Sequence, residues 1–166
     1  MRLVRRLGVI LAAVGILVLP AAPALAATEP AVGTFSEGPE TITDEREADG
    51  NLIIELTRAV VFTGTYTGAG QADQRIVIHK DGSAQAHMTI TFTGAACGQP
   101  AALVFLVEGQ VQFDQEFTGP ISGTYTVIDA GQTDSRTLRG HGEFEGMAGI
   151  GGVYEGDAHC DDASPF

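Results

Sequence analysis

The sequence predicts an all-β protein folded as an eight-stranded antiparallel barrel, and three observations predict it. From Ala84 to Thr93, Ala84, Ala86, Met88, Ile90 and Phe92 alternate strictly with Gln85, His87, Thr89, Thr91 and Thr93. That is the period of two with which side chains switch faces along a strand, one face apolar and the other wet. Neighbouring runs share the alternation, are short, and are separated by Gly, Asp and Pro, the residues that supply turn geometry. No segment of the exported part reads as a long amphipathic helix.

The N-terminus is read first because it sets the compartment. Arg2, Arg5 and Arg6 precede an uncharged apolar run from Leu7 to Leu19, then Pro20, Pro23 and the small-residue site Ala24-Leu25-Ala26. This is the pattern of a secretory signal peptide over residues 1–26, and its apolar run is shorter than the ~20 residues of a spanning helix. Val4 stands before Arg5-Arg6 where a twin-arginine signal has Ser or Thr, and no cysteine marks a lipoprotein site. The expected product is secreted, with no membrane insertion after cleavage.

Removing 26 of 166 residues leaves 140, enough for one core and one domain. The signal takes three of nine basic residues and none of the 21 acidic ones, so the exported balance is six against 21, or −15. Phosphate backbones and anionic membrane surfaces repel such a chain, which argues against nucleic acid as a partner. Cys97 and Cys160 both lie in the exported part, where an even count implies one disulfide.

Ala27 to Pro39 mixes Pro, Gly, Ser, Thr and Glu and is expected to be a flexible lead-in, with the β-barrel domain over residues 40–166. Strands are expected at Glu40–Glu47, Leu52–Thr67, Ala72–Lys80, Ser83–Thr93, Ala101–Phe113, Pro120–Ile128, Gly140–Glu145 and Gly152–Cys160. Asp81-Gly82, Gly94–Pro100, Asp114–Gly119 and Asp129-Ala130-Gly131 connect them, and Asp-Gly supplies the positive φ of tight hairpins. Short connections make an antiparallel meander, which closes to remove its edges. Gly109 inside the fifth strand predicts a bulge or sharp bend. Phe-Thr-Gly recurs at Phe62, Phe92 and Phe117 without a fixed period, so it reads as shared strand chemistry.

Alternation assigns an inside. Leu103, Phe105, Val107, Val111 and Phe113 oppose Glu108, Gln110 and Gln112; Ile121, Gly123, Tyr125 and Val127 oppose Ser122, Thr124 and Thr126; Val60, Phe62 and Tyr66 oppose Thr63, Thr65 and Thr67. Ile76 and Ile78 oppose Asp73, Arg75 and His79, and Phe144 opposes His141, Glu143 and Glu145. Acids and bases therefore face solvent, leaving inside only the hydroxyls of Tyr66, Tyr125 and Tyr154, with Gln74 and Arg58 placed near strand ends. An eight-stranded barrel is either filled by its own side chains or holds one small ligand. Ala84, Ala86 and Gly123 leave room, whereas Phe62, Phe92, Phe105, Phe113 and Phe144 take it up, and the two forms stay open at this point.

Motifs for other chemistry fail on spacing. His79, His87, His141 and His159 do not stand at zinc spacing, and Glu143, Glu145, Asp157, Asp161 and Asp162 lack a calcium-loop order. Gly146–Gly152, GMAGIGG, lacks the order and the Lys of a phosphate loop, and Ser122 in GPISG is not a nucleophile elbow. His159 next to Cys160 faces the other side of its strand and so is no base for a thiol. No catalytic residue, metal or cofactor is assigned.

In order and spacing, LTRAVVFTGTYTGAG (Leu56–Gly70), HKDGSAQAHMTITFTG (His79–Gly94), AALVFLVEGQVQF, GTYTVIDAG and TLRGHGEF (Thr137–Phe144) resemble an uncharacterised bacterial family of small barrels related to allene oxide cyclase. The likeness covers most of the exported chain and departs at Gly131–Arg136, GQTDSR. It implies the allene oxide cyclase-like barrel, with relatives that cyclise a hydrophobic substrate or have no assigned activity. The functional expectation is a secreted barrel binding a small apolar molecule, lined by Phe62, Tyr66, Met88, Phe92, Phe105 and Tyr125. Two rivals stand beside it: a cyclase or isomerase of a hydrophobic substrate, and an extracellular interaction module with a filled barrel.

Overall fold

The computed structural model of the chain describes residues 27–114, 118–129 and 138–160. The expected signal segment, Phe117, Ala130, the Gly131–Arg136 departure, Asp161 and Asp162 lie outside the described residues. The strands are β1 (Ala27–Ala48), β2 (Asn51–Gly64), β3 (Tyr66–Ile78), β4 (Ser83–Ala96), β5 (Gln99–Gln112), β6 (Pro120–Asp129), β7 (Arg139–Met147) and β8 (Gly151–Cys160). Each pairs antiparallel with its neighbours in the chain, and β1 pairs with β8, so eight strands form one closed ring sheet. Tight turns carry the meander: Asp49-Gly50 and Cys97-Gly98 hold positive φ at both residues, which matches the twist of a two-residue hairpin.

Three expectations are corrected. Ala27 to Pro39 is the first half of β1, because the ring needs a strand that pairs on both sides: Gly33 to Ser36 pair with β2 and β8 at once. Pro and Gly do not prevent this, since register shifts between Glu37 and Glu40 and between Ile42 and Asp44 absorb Pro39 and bend the strand. The run Leu52–Thr67 is broken at Thr65 into β2 and β3. Val60 and Phe62 before the turn and Tyr66 after it all stay buried, so the alternation passes through the reversal unchanged. Gly109 is not at a bulge; it pairs in register with Ala86 and Gly123. A Cβ there would sit 3.1 Å from the Phe144 ring, so its bareness makes room for an aromatic.

The two ends of the ring differ. At one, β4 and β8, which stand opposite each other, are drawn together where Cys97 is disulfide-bonded to Cys160, with Cα atoms 6.2 Å apart. Ala31, Ala96 and Ala158 lie fully buried there, and Tyr66 and Phe92 pack beside them. The Tyr154 hydroxyl donates to the Thr63 carbonyl at 2.9 Å and accepts from the Tyr66 N–H at 3.0 Å, tying β8 to the β2–β3 reversal. At the other end, β1 beyond Ser36 runs on with β2 alone as a long hairpin, and Leu56, Ile76, Ile78, Ala84, Ala86, Val111 and Ile121 form a second apolar cluster. The closed end is the floor and the hairpin end the mouth.

Replacing both cysteines with serine frees a 63-residue span, and the chain-entropy estimate for such a loop is about 4 kcal/mol. The double variant is expected to melt well below the parent in calorimetry under non-reducing conditions, and equal melting would show that the floor stands without the bridge. Gly142→Ala places a methyl against the Glu155 carbonyl and 2.7 Å from the Tyr125 hydroxyl. Overpacking of this kind costs about 1–3 kcal/mol. Gly38→Ala, with 3.3 Å to its nearest atom, is expected to leave the urea midpoint almost unchanged.

Candidate functional site

Above the floor the lumen holds a cavity of about 380 Å³, within the size range of small-molecule sites. Its base is an aromatic layer: Phe62 and Phe105 stack with centroids 4.9 Å apart, and Tyr125 and Tyr154 meet edge-on at 6.0 Å. Ile54, Leu56, Ile76, Ala86, Met88, Ile90, Val107 and Val111 supply apolar walls from β2 to β5. Phe35 and Phe144, edge to face at 5.9 Å, close the opposite side. The mouth lies between the β1–β2 hairpin and the β7–β8 turn, where Ala148 and Gly149 reach the lining.

One patch of this apolar wall is charged. Arg58, in the middle of β2, continues the inward row of Leu52, Ile54, Leu56 and Val60 and is 5% exposed. Its guanidinium donates to Glu37 at 2.5 Å and to Glu40 at 2.7 Å, both on β1. The Glu37 side chain is equally buried, and its Oε2 also accepts from the Gly149 N–H at 2.9 Å, so it joins β2 to the turn at the mouth. The Glu37 N–H donates to the Ile150 carbonyl at 2.9 Å, fixing that turn a second time. Charge-assisted bonds of this kind hold two strands and a turn in one geometry.

The sequence expectation that acids and bases avoid the lumen is therefore corrected. Arg58 and Gln74 sit at mid-strand rather than near strand ends, and Glu37 is a carboxylate inside the ring. The physical reason is local pairing: the guanidinium and the carboxylates satisfy each other, so burial leaves neither charge alone. A signal for Arg58 existed, an arginine in phase with five apolar residues of β2. Glu37, in phase with Phe35, carried the same signal in a segment expected to be loose.

Four buried polar atoms have no protein hydrogen-bond partner among the described residues: Arg58 Nε, Gln74 Oε1 and the hydroxyls of Tyr66 and Tyr125. Arg58, Gln74 and Tyr125 line the cavity. Of the residues expected to line it, Phe62, Met88, Phe105 and Tyr125 do so, whereas Tyr66 and Phe92 lie fully buried in the floor beneath. Burial, then the neighbouring Tyr125 and Tyr154 phenols, pushes the Tyr66 hydroxyl far above its ordinary value. Burial, then Tyr154 and Asp157, does the same to Tyr125, and burial raises Tyr154 against its two stabilising hydrogen bonds.

The other candidates are dispersed on the outer face. His87 lies 3.8 Å from Glu108 and His141 3.9 Å from Asp157, all exposed, while His79 meets Asn51 and His159 meets Thr28. Glu143 faces Glu155 across the sheet and is exposed. Among the described residues, no helix is long and apolar enough to cross a membrane, a statement that does not bear on strands. No protein-family model, curated protein or solved structure matches the chain.

The chain contains three tyrosines, and all three are buried phenols with raised values. The unfolded chain ionises its phenols near the ordinary ~10 and so releases protons before the folded one. Stability is then retained below that pH and falls as pH rises through and above it. Tyrosinate absorbance is expected to appear above pH 10 together with loss of the native circular dichroism signal. Phenols that titrate at ordinary pH with the fold intact would contradict this burial.

Proposed function

We propose that the chain is a secreted barrel of the allene oxide cyclase-like kind that holds a small, largely apolar molecule in its lumen. The observation that carries this reading is the cavity of about 380 Å³, apolar on most of its wall and closed at one end by the disulfide-bridged floor. Concave, mostly apolar space with a few fixed polar groups is the ordinary form of a small-molecule site. A filled interaction module would not leave that space, and cavities in cores cost stability unless they serve. Export is supported by the basic, apolar and Ala24-Leu25-Ala26 pattern before Ala27 and by the disulfide. The family likeness is supported by the Lys80-Asp81-Gly82 hairpin, the GTYTV strand and the Leu138-Arg139-Gly140 run.

A second reading, a cyclase or isomerase of a hydrophobic substrate, is favoured by one observation. The same cavity is lined by Glu37 and Tyr125, a carboxylate held by Arg58 and a phenol on one largely apolar volume. Such groups stabilise developing charge where water is excluded. Tyr125→Phe separates the readings: a binder keeps its ligand, whereas an enzyme keeps binding and loses turnover.

Protein purified from its own secretions is expected to carry a bound mass of a few hundred daltons in native mass spectrometry. Ala86→Leu, which extends a side chain into the cavity from β4, is expected to abolish that mass while leaving the circular dichroism spectrum intact. An empty parent that also takes up no hydrophobic probe would overturn the reading.

A further inference from the structure

At the floor, three metal-ligating side chains converge from parts of the chain far apart in sequence. Glu29 comes from the start of β1, Cys97 from the β4–β5 turn and Cys160 from the end of β8, and a carboxylate oxygen and the two sulfurs lie within 4.8 Å of one another. Glu29 is in phase with Ala31, Gly33 and Phe35 and pairs with the buried Ala158, so it stands on the inner face of its strand, exposed because it lies at the rim of the ring. The backbone holds all three without help from the sulfur–sulfur bond. The Cys97 N–H donates to the Thr65 carbonyl at 3.3 Å, the flanking Ala96 pairs with both Tyr66 and Gln99, and Cys160 pairs with Ala27. Reduction of the disulfide therefore leaves two thiols and a carboxylate in one place.

Such a set suits one kind of ion. Thiolates are soft ligands that select zinc-like ions over magnesium or calcium, and two sulfurs with one carboxylate oxygen make three of the four corners of a tetrahedron. With bond lengths of about 2.0–2.3 Å, the ligand atoms of a tetrahedral zinc stand roughly 3.5–3.8 Å from one another, a spacing these three side chains reach once the sulfurs part. Cα atoms 6.2 Å apart let the sulfurs part by rotation about χ1. Three negative ligands outweigh the two charges of the ion, and the exported balance of −15 draws cations toward the chain. Glu29 is exposed and both sulfurs are half-buried, so an ion reaches them from outside the ring and needs no path through the lumen.

We propose that Cys97, Cys160 and Glu29 form a zinc site in the reduced chain, with water at the fourth corner, and that the floor is closed by either of two staples, the disulfide or the ion. The exchange between them balances. A phosphine reductant is oxidised to its oxide with the oxygen of one water, the two protons of that water go to the sulfurs, and the two thiols release those protons when they bind the ion. Glu29 supplies the third ligand and sets the site apart from a bare dithiol. The site is independent of what the lumen holds.

The test reduces the full exported chain with a phosphine under anaerobic conditions and titrates it with cobalt(II), a spectroscopic stand-in for zinc. The expected result is one ion per chain, with the intense visible bands of a tetrahedral site and a near-ultraviolet thiolate-to-metal charge-transfer band, both removed by added zinc. Zinc is expected to raise the melting temperature of the reduced chain and to leave that of the oxidised chain unchanged. Glu29→Gln keeps the length of the side chain and lies outside the disulfide, so it is expected to fold and to form the bridge. Loss of a ligand costs at least what loss of a ligand's hydrogen-bonding neighbour does, so the variant is expected to bind the ion roughly tenfold more weakly or worse. Absence of the tetrahedral bands at an excess of cobalt overturns the site, whether or not the reduced chain keeps its native circular dichroism. An affinity untouched by Glu29→Gln leaves only a dithiol and overturns the three-ligand site. Equal zinc uptake by the oxidised chain assigns the ion to the acidic outer face and overturns it as well.

Discussion

The interior width of an eight-stranded ring is the constraint from which the rest follows. Such a ring is just wide enough for its own side chains to fill, so how large residues are placed along it decides what space is left. This chain meets the limit by register: Phe35 pairs with Gly152, Phe62 with Gly68, Phe92 with Gly70, Phe144 with Gly123, Tyr125 with Gly142 and Tyr154 with Gly33. A Cβ on Gly123 would sit 2.8 Å from the Phe144 ring, and one on Gly142 2.7 Å from the Tyr125 hydroxyl. Phe144 lies over Gly123, Tyr125 over Gly142, Tyr154 over Gly33 and the end of Phe92 over Gly68 and Gly94, the cover that stabilises glycine in sheets. The glycines of the inner face are thus the complement of its aromatics.

Because these pairs are unevenly distributed, the lumen is not filled evenly. Phe62, Tyr66, Phe92, Phe105, Tyr125 and Tyr154 lie within one contact network at the disulfide end. The hairpin end is lined mainly by Ile, Leu, Val and Ala, with Phe35, Phe113 and Phe144 packed against them. The result is a plug below and a space above, and β1, which runs past β8, carries the wall on which Glu37 and Glu40 stand. The disulfide and the Tyr154 hydroxyl pin the plug, and Glu37 holds the β7–β8 turn at the other end.

Fold class was legible from periodicity alone, and so were the inward rows of β4, β5 and β6, because burial on one face writes itself into alternate positions. The ends of elements were less legible. The reversal at Thr65 keeps Phe62 and Tyr66 on the same side, so a period of two has nothing there to detect. The first half of β1 is half-empty on its inner face, Ala31 and Gly33 where another strand would have Leu or Val, because Tyr154 occupies the space over Gly33. Its sequence therefore resembles a linker although its backbone is fully paired. Four of the six residues read as cavity lining lie on the cavity; depth, which decides between floor and wall for Tyr66 and Phe92, depends on how far each position lies along the ring axis, and alternation carries no such coordinate.

The charged patch is the place where sequence rules fail for a reason. Replacing a buried ion pair by apolar residues of similar volume is often neutral or stabilising, so Arg58 and Glu37 are not explained by stability. An isoleucine at residue 58 would extend the row of Leu52, Ile54, Leu56 and Val60 without needing either carboxylate. Aromatic–glycine pairs join β2 to β3, β3 to β4, β6 to β7 and β8 to β1, whereas β1 and β2 are joined by Arg58 with Glu37 and Glu40. Beside that ion pair, Arg58 Nε, Gln74 Oε1 and the Tyr125 hydroxyl are buried without a protein partner among the described residues, on side chains that belong to the cavity lining. Unmade hydrogen bonds in a low-dielectric interior are costly, and the cost is removed when a molecule that completes them enters.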